Sequence, residues 1–125
     1  MSMGDRGWKQ RFGRAGEEHA AALLSHSGFR ILHRRYRRKG GEIDLIAADA
    51  RHLVFIEVKA RQSGRFGTAA QAVNARKQKY LIRTARHYLR EFGRRGRAVR
   101  FDVITLTTDR SGRVQIEWIE NAFSA

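Results

Sequence analysis

The chain of 125 residues contains no cysteine and no proline. The lack of cysteine excludes disulfides, zinc–thiolate sites and thiol nucleophiles, and it is compatible with a reducing compartment. No apolar run approaches the roughly 20 residues that a membrane-spanning helix needs. The amino terminus has Lys9 and Arg11 but no apolar run behind them, so it does not resemble a signal peptide. We therefore expect a cytoplasmic protein that does not bind a membrane.

Acidic residues are few. The chain has 12 Asp and Glu against 26 Lys and Arg, which gives a formal net charge of +14 at pH 7. Most of the basic residues are arginines, whose planar guanidinium groups bind phosphate oxygens well. The basic side chains gather at residues 34–39, 76–79 and 94–97. One such cluster is usually a solvated face, but three clusters flanking one site favour a groove for a phosphate backbone. We expect the nucleic acid to be DNA, although these clusters do not distinguish DNA from RNA.

Apolar periodicity predicts one domain over residues 1–125, with loose termini at residues 1–11 and 121–125. Two stretches with helical spacing, each followed by a glycine, predict helices at residues 14–27 and 68–92. Apolar runs bounded by turn residues predict strands at residues 29–37, 42–48, 52–60, 97–107 and 113–119. The order αβββαββ indicates a single α/β domain with a mixed sheet flanked by two helices.

Charged residues interrupt two of the predicted strands. Asp44 lies within the apolar run Gly41-Glu42-Ile43-Asp44-Leu45-Ile46, and Glu57-Val58-Lys59 ends the next one. Because side chains alternate along a strand, Glu57 and Lys59 share a face, roughly 6–7 Å apart. If the two strands pair as an antiparallel hairpin, Asp44 can lie near Glu57. Two neighbouring carboxylates repel each other, and one takes up a proton unless a cation lies between them.

Carboxylate oxygens are the ligands that Mg²⁺ and Mn²⁺ prefer. Such an ion polarises a phosphoryl group and lowers the pKa of a bound water, and a lysine beside it can orient that water or stabilise developing charge. Asp44, Glu57 and Lys59 therefore suffice for metal-dependent phosphodiester hydrolysis. The alternative is a solvated Glu57–Lys59 pair, with Asp44 bound to an arginine. We favour the metal site because the strand is apolar up to Glu57.

Glu17 and Lys77 each allow two interpretations. Glu17 falls on the inward stripe of the first helix, where it either assists the site or complements the helix dipole. Lys77 either reaches the site or a DNA phosphate, or extends over the core edge. Asp102 is expected to pair with an arginine such as Arg100. The basic residues assigned to nucleic acid are Arg37, Arg38, Lys39, Arg61 and Lys77.

Several stretches of the chain together resemble a known family. They are Glu17 in a Gly-Glu-x-x-Ala pattern, then GGEIDLIA, LVFIEVKAR, a downstream Phe-Gly, a helical lysine and RFDVI. From about residue 13 to residue 106 this run resembles the YraN-like uncharacterised proteins, which are similar to the restriction-endonuclease (PD-(D/E)xK) superfamily and to Holliday-junction resolvases. The resemblance implies a restriction-endonuclease-like fold. It also implies metal-binding acids at Asp44 and Glu57, a catalytic lysine at Lys59 and a first-helix acid at Glu17.

Three functions follow as hypotheses. The first is an endonuclease that uses Mg²⁺ or Mn²⁺ to hydrolyse DNA, with branched or damaged DNA as candidate substrates. The second is a nucleic-acid-binding module on a nuclease scaffold, without catalysis. The third is an accessory protein that binds RNA or a ribosome-related complex through its charge. A resolvase-like action favours a symmetric homodimer. The acids facing a phosphate groove favour the first hypothesis, since a pure binding protein has no need of them.

Overall fold

A computed structural model of the chain describes the backbone of residues 2–62 and 73–125 and the side chains of residues 14–60 and 73–125. The elements are α1 (Ser2–His26), β1 (Arg30–Arg38), β2 (Gly41–Ala48), β3 (His52–Gln62), α2 (Ala75–Phe92), β4 (Ala98–Thr108) and β5 (Val114–Phe123). The predicted order αβββαββ is confirmed. The side chain of Arg61 and the Phe66–Gly67 pair lie outside the described residues.

The five strands form one sheet in the order β1-β2-β3-β4-β5. All neighbours pair antiparallel except β3 and β4, which are parallel. A parallel pair requires a crossover connection, and α2 lies within it. The mixed sheet of the prediction follows from this single crossover.

Each helix covers one face of the sheet. On the α1 face, Ala20 and Leu24 pack with Leu45 and Ile56, all of them buried. Another set of buried side chains lies on the α2 face, where Leu81, Tyr88, Ile43, Ile46, Phe55 and Phe101 pack together. Full burial of a large apolar side chain stabilises the fold by about 1.5–3 kcal/mol. The sheet is therefore the middle layer of an α/β/α arrangement, with one core on each side.

Several element boundaries differ from the predicted ones. Helix α1 already begins at Ser2 rather than at residue 14. Helix α2 begins at Ala75, because the side chain of Asn74 caps it by accepting a hydrogen bond from the amide of Lys77 at 2.9 Å. Val73 is thus outside the helix, although it is buried. Strand β5 continues to Phe123, whose ring stacks on Phe101 with centroids 5.0 Å apart.

Gly41 allows α2 to approach the start of β2. A Cβ atom on Gly41 would collide with Oγ1 of Thr84 and would lie only 3.2 Å from the carbonyl oxygen of Tyr80. Both of those atoms belong to α2. The glycine therefore sets how closely the helix packs on the strand that carries Asp44.

Asp102 is a structural acid in β4, as predicted. Its two oxygens accept hydrogen bonds from Nε and an Nη of Arg100, each at 2.9 Å. They also accept from the indole of Trp118 and the amide of Asn121, each at 2.8 Å. The carboxylate is fully used within the fold, which removes it from the candidate site. None of the described helices is both long and apolar enough to cross a membrane.

Candidate functional site

The alternation of side chains between the two faces of the sheet breaks at Asp44 in strand β2. Ile43 belongs to the core beneath α2, whereas Leu45, two residues later, belongs to the core beneath α1. Residues two apart in a regular strand share a face, so the alternation breaks at Asp44. The ladder between β2 and β3 runs only from Ala48–Leu53 to Leu45–Ile56. Asp44 therefore lies where the two strands part.

The carboxylate of Asp44 reaches across to β3. Its Oδ2 accepts a hydrogen bond from the amide of Val58 at 2.8 Å. Burial, followed by the charge and hydrogen bonding of Glu57, raises the pKa of Asp44 to about 8. Glu57 is itself buried, with 5% of its surface exposed. The structure thus brings the two acids together, as the hairpin geometry predicts, and their mutual repulsion calls for a proton or a cation between them.

Two lysines accompany this acid pair. Leu53 and Phe55 face α2, and the alternation of β3 places Glu57 and Lys59 on the same side. From α2, Nζ of Lys77 lies 3.4 Å from Oε2 of Glu57. Lys77 therefore contacts an acid of the candidate site, and its contact with a DNA phosphate stays a prediction. Lys59 is half-buried and forms no ion pair with any carboxylate among the described side chains.

Glu17 is joined to the site through an arginine that the sequence did not single out. Its Oε1 accepts a hydrogen bond from Nε of Arg35 at 3.0 Å. Arg35 stands opposite Asp44 in the β1–β2 ladder, between the pairs Arg34–Leu45 and Tyr36–Ile43. The hydrogen bond and charge of Glu17 raise the pKa of Arg35, and the charges of Glu42 and Asp44 add to the effect.

Arg35 has a left-handed backbone, with φ of 51°. This conformation is uncommon for residues other than glycine and asparagine, and such residues concentrate at functional sites. No signal in the sequence marks it, because it is one of several arginines in the run at residues 34–38. Arg35 is therefore an additional candidate for the site, from β1, the strand on the side of β2 away from β3.

The basic residues assigned to nucleic acid differ in their contacts. Arg38 is engaged with Glu91 through hydrogen bonds of 2.8 and 2.9 Å, and it lies 4.2 Å from the centroid of the Tyr36 ring. Arg37 pairs with Glu42 at 3.3 Å. Lys39, in the turn after β1, has no ion pair within the described side chains. Arg38 thus has a structural role that leaves less of it available to a phosphate.

One expectation about the basic clusters is wrong. The sequence predicts that residues 94–97 flank the acid pair together with the other two clusters, but they follow the far end of α2. Arg97 donates a hydrogen bond from Nε to the carbonyl oxygen of Asp49, in the β2–β3 turn, at 2.7 Å. Arg94 and Arg95 lie beside Leu53, at the start of β3. Only the clusters at residues 34–39 and 76–79 lie toward the end of the sheet that carries Asp44.

The acid pair fits a magnesium or manganese ion, although the ligand set is small. Within the part of the chain that the structure describes, no group of three or more His, Asp or Glu side chains is arranged to hold a metal. Mg²⁺ keeps several waters and commonly binds through only one or two carboxylates. Desolvation and the charge of Glu57 raise the pKa of Asp44, and a divalent cation between the two carboxylates would relieve this repulsion. Asp44 and Glu57 are the residues that could hold the ion.

Comparison with known proteins gives the chain a family. The model of the uncharacterised protein family UPF0102 matches residues 16–106, which include Glu17, Asp44, Glu57, Lys59 and Lys77. A UPF0102 protein of Moorella thermoacetica is 48% identical over 116 residues, which cover 92% of this chain and 97% of the relative. One of Symbiobacterium thermophilum is 47% identical, with 93% and 98% covered. One of Hahella chejuensis is 44% identical, with 90% and 89% covered. The chain belongs to the uncharacterised protein family UPF0102.

Proposed function

We propose that the protein is an endonuclease that uses Mg²⁺ or Mn²⁺ to hydrolyse phosphodiester bonds in DNA. The observation that supports this most strongly is the pairing of half-buried Asp44 with buried Glu57, with Lys59 on the same face of β3 as Glu57. A structural role gives no reason to bring a half-buried and a buried acid together, because their repulsion destabilises the fold unless a proton or a cation lies between them. A cation bound between them offsets that cost.

The roles of the residues follow from their positions. Asp44 and Glu57 would hold the metal, which supplies Lewis acidity toward a phosphoryl oxygen and lowers the pKa of a bound water. The amide of Val58 keeps the carboxylate of Asp44 turned toward β3. Lys59 would orient the attacking water and stabilise negative charge that develops on the phosphorus oxygens. Glu17, on the helix that covers the other face of the sheet, would assist through its hydrogen bond to Arg35.

Lys77 has a separate part in this proposal. Its ammonium group already lies 3.4 Å from Glu57, with 43% of the side chain exposed. A flexible, partly exposed lysine can leave Glu57 when a cation arrives and then bind a DNA phosphate. In the absence of metal it compensates part of the negative charge of the pair. The same residue would thus serve the free protein and the DNA complex in turn.

Substrate recognition is expected to depend on shape. The net charge of +14 favours a polyanion, and phosphate contacts fix position without reading sequence. We therefore place branched or damaged DNA among the substrates. A non-catalytic nucleic-acid-binding module on the same scaffold is the alternative, and the absence of a third acidic ligand among the described residues is the observation that favours it.

A DNA-cleavage assay distinguishes the endonuclease from the non-catalytic binding module. Purified protein is incubated with single-stranded, duplex, flap and four-way-junction DNA in Mg²⁺ or Mn²⁺, beside the variants Asp44→Asn and Lys59→Ala. Arg110→Ala, which removes a positive charge from the exposed turn after β4, is the matched control. We expect cleavage by the wild type and the control only. Cleavage that survives both site variants would indicate a contaminant and remove the assignment, whereas tight, salt-sensitive binding without cleavage would select the binding module.

A further inference from the structure

A second basic site lies at the other end of α2. A cavity of about 270 Å³ opens between the last turn of this helix, the loop behind it and the first residues of β1 and β3. From Lys77 to Phe92 the helix rises by roughly 22 Å. The cavity is therefore separate from Asp44 and Glu57, and nothing in the nuclease proposal uses it.

Four arginines line this cavity: Arg30, Arg94, Arg95 and Arg97. The side chain of Arg97 is fixed by its hydrogen bond to the carbonyl oxygen of Asp49. None of the four forms an ion pair with a carboxylate on the described side chains. Since like charges so close together repel, their concentration without counter-charges suits an anionic ligand.

An exposed aromatic ring stands beside these charges. Phe92 lines the cavity with 43% of its surface exposed, and Leu32, also on the wall, is 37% exposed. The ring of Phe92 packs on Tyr88 at 4.7 Å and on His33 at 4.9 Å between centroids. Tyr88 in turn contacts Phe55 in the core at 5.6 Å. Phe92 is thus the outer member of an aromatic cluster that continues into the core, and its exposed part offers a surface on which another ring can stack.

We propose that this cavity binds a nucleoside phosphate, with the base stacked on Phe92 and the phosphate held by the arginines of the loop. Aromatic stacking combined with basic side chains is how proteins hold single nucleotides of a strand. A volume of about 270 Å³ is near the lower end of ligand cavities, so it suits one nucleotide rather than a length of duplex. The ligand is either a free nucleotide or the terminal nucleotide of a single strand.

This site does not depend on the nuclease proposal, and its test uses no metal. The full-length protein, in EDTA, is titrated into a short single-stranded oligodeoxyadenylate with a 5′ phosphate and a 3′ fluorescein, and anisotropy reports binding. The variants are Phe92→Leu, which keeps an apolar side chain, and the double variant Arg94→Gln/Arg95→Gln. Arg110→Gln/Arg113→Gln removes the same charge from the β4–β5 turn as the control. Circular dichroism checks that each variant is folded.

Phe92→Leu should weaken binding roughly fivefold or more, the effect of losing one stacked base. Arg94→Gln/Arg95→Gln should weaken it more than Arg110→Gln/Arg113→Gln does. Competition by AMP identifies a free nucleotide as the ligand, and competition by unlabelled oligonucleotide alone identifies a strand end. Either result supports the site. Equal affinity of Phe92→Leu and wild type, equal loss in the two double variants, or displacement by inorganic phosphate as effective as by AMP would overturn it.

Discussion

The amide of Val58 donates a hydrogen bond to Oδ2 of Asp44 at a distance of 2.8 Å. This bond forms just beyond the last paired residues of β2 and β3, so a side chain continues the link where the backbone ladder stops. It holds Asp44 against the strand that carries Glu57 and Lys59. A local break in strand pairing thus converts an acid inside an apolar run into one half of a candidate metal site.

The acid pair predicts how stability depends on pH. Burial and Glu57 raise the pKa of Asp44 to about 8, whereas an unfolded aspartate titrates near 4. Such a group stabilises the folded state while protonated, and this contribution is lost as pH rises from about 4 to about 8. In EDTA, the free energy of unfolding of the wild type should therefore fall over this range. It should fall by on the order of a few kcal/mol more than that of Asp44→Asn. Urea unfolding at several pH values measures the difference.

Binding of a divalent metal ion should change how stability depends on pH. A divalent cation favours the ionised pair, so Mg²⁺ should raise the melting temperature of the wild type more at pH 8 than at pH 5, and should leave Asp44→Asn unchanged at both. Glu117→Gln, on β5, is a control that removes one exposed carboxylate elsewhere. Parallel pH profiles of wild type and Asp44→Asn, with or without metal, would contradict the assigned coupling.

Substitution of Arg35 should change metal binding at the candidate site of Asp44 and Glu57. Arg35→Asn removes the guanidinium group opposite Asp44 and inserts a residue better suited to a φ of 51°. The lost ion pair with Glu17 is partly exposed and contributes about 1 kcal/mol at most. We therefore expect little change in stability but severalfold tighter Mn²⁺ binding, measured by calorimetry, because a competing positive charge is gone. Arg34→Asn, which breaks an exposed pair with Glu18, is the control, and weaker Mn²⁺ binding by Arg35→Asn alone would contradict the prediction.

The Asp102 network should be the most sensitive polar feature of the fold. Asp102→Ala leaves Arg100 without its buried partner and Trp118 without its acceptor, so we expect a loss of about 3–5 kcal/mol in the free energy of unfolding. Glu120→Ala removes the other carboxylate near Arg100, at 3.3 Å and mostly exposed, and should cost under about 1 kcal/mol. Urea unfolding of both variants is the measurement. Similar losses in the two would show that burial does not set the strength of these pairs.

The packing of α2 on β2 predicts a coupled pair of substitutions. Gly41→Ala places a methyl group against Thr84 Oγ1 and near the carbonyl of Tyr80, at a cost of about 1–3 kcal/mol. Adding Thr84→Ala removes the oxygen but leaves the carbonyl, so it should restore only part of the loss. A double-mutant cycle from thermal unfolding gives the coupling energy. Simple additivity of the two changes would mean that Gly41 does not contact Thr84 closely.

Local patterns in the sequence were enough for the element order and for the meeting of Asp44 with Glu57. The apolar runs place the strands, and a short connection at Asp49–Arg51 forces β2 and β3 into a hairpin. What the patterns could not provide depends on distant contacts. Strand β5 continues to Phe123 because Asn121 and Phe123 contact β4, and the left-handed backbone of Arg35 leaves no trace in an arginine-rich run.

The wrong prediction for the basic cluster at residues 94–97 is explained by the length of α2. Helix α2 carries Lys77 in its first turn and ends at Phe92, so residues 94–97 must lie about one helix length from the acid pair. The helix predicted at residues 68–92 is long enough to imply this distance between residues 94–97 and the acid pair. Basic residues that are close along the chain are therefore far apart in the fold, because a long helix places its two ends at opposite ends of the sheet.

Binding of Mn²⁺, followed by electron paramagnetic resonance of the free ion, tests whether Asp44 and Glu57 form one metal site. The structure predicts one bound ion per chain, lost in both Asp44→Asn and Glu57→Gln and kept in Glu42→Gln, whose carboxylate instead pairs with Arg37. Undiminished Mn²⁺ binding by Asp44→Asn and Glu57→Gln, in variants that remain folded, would contradict the site.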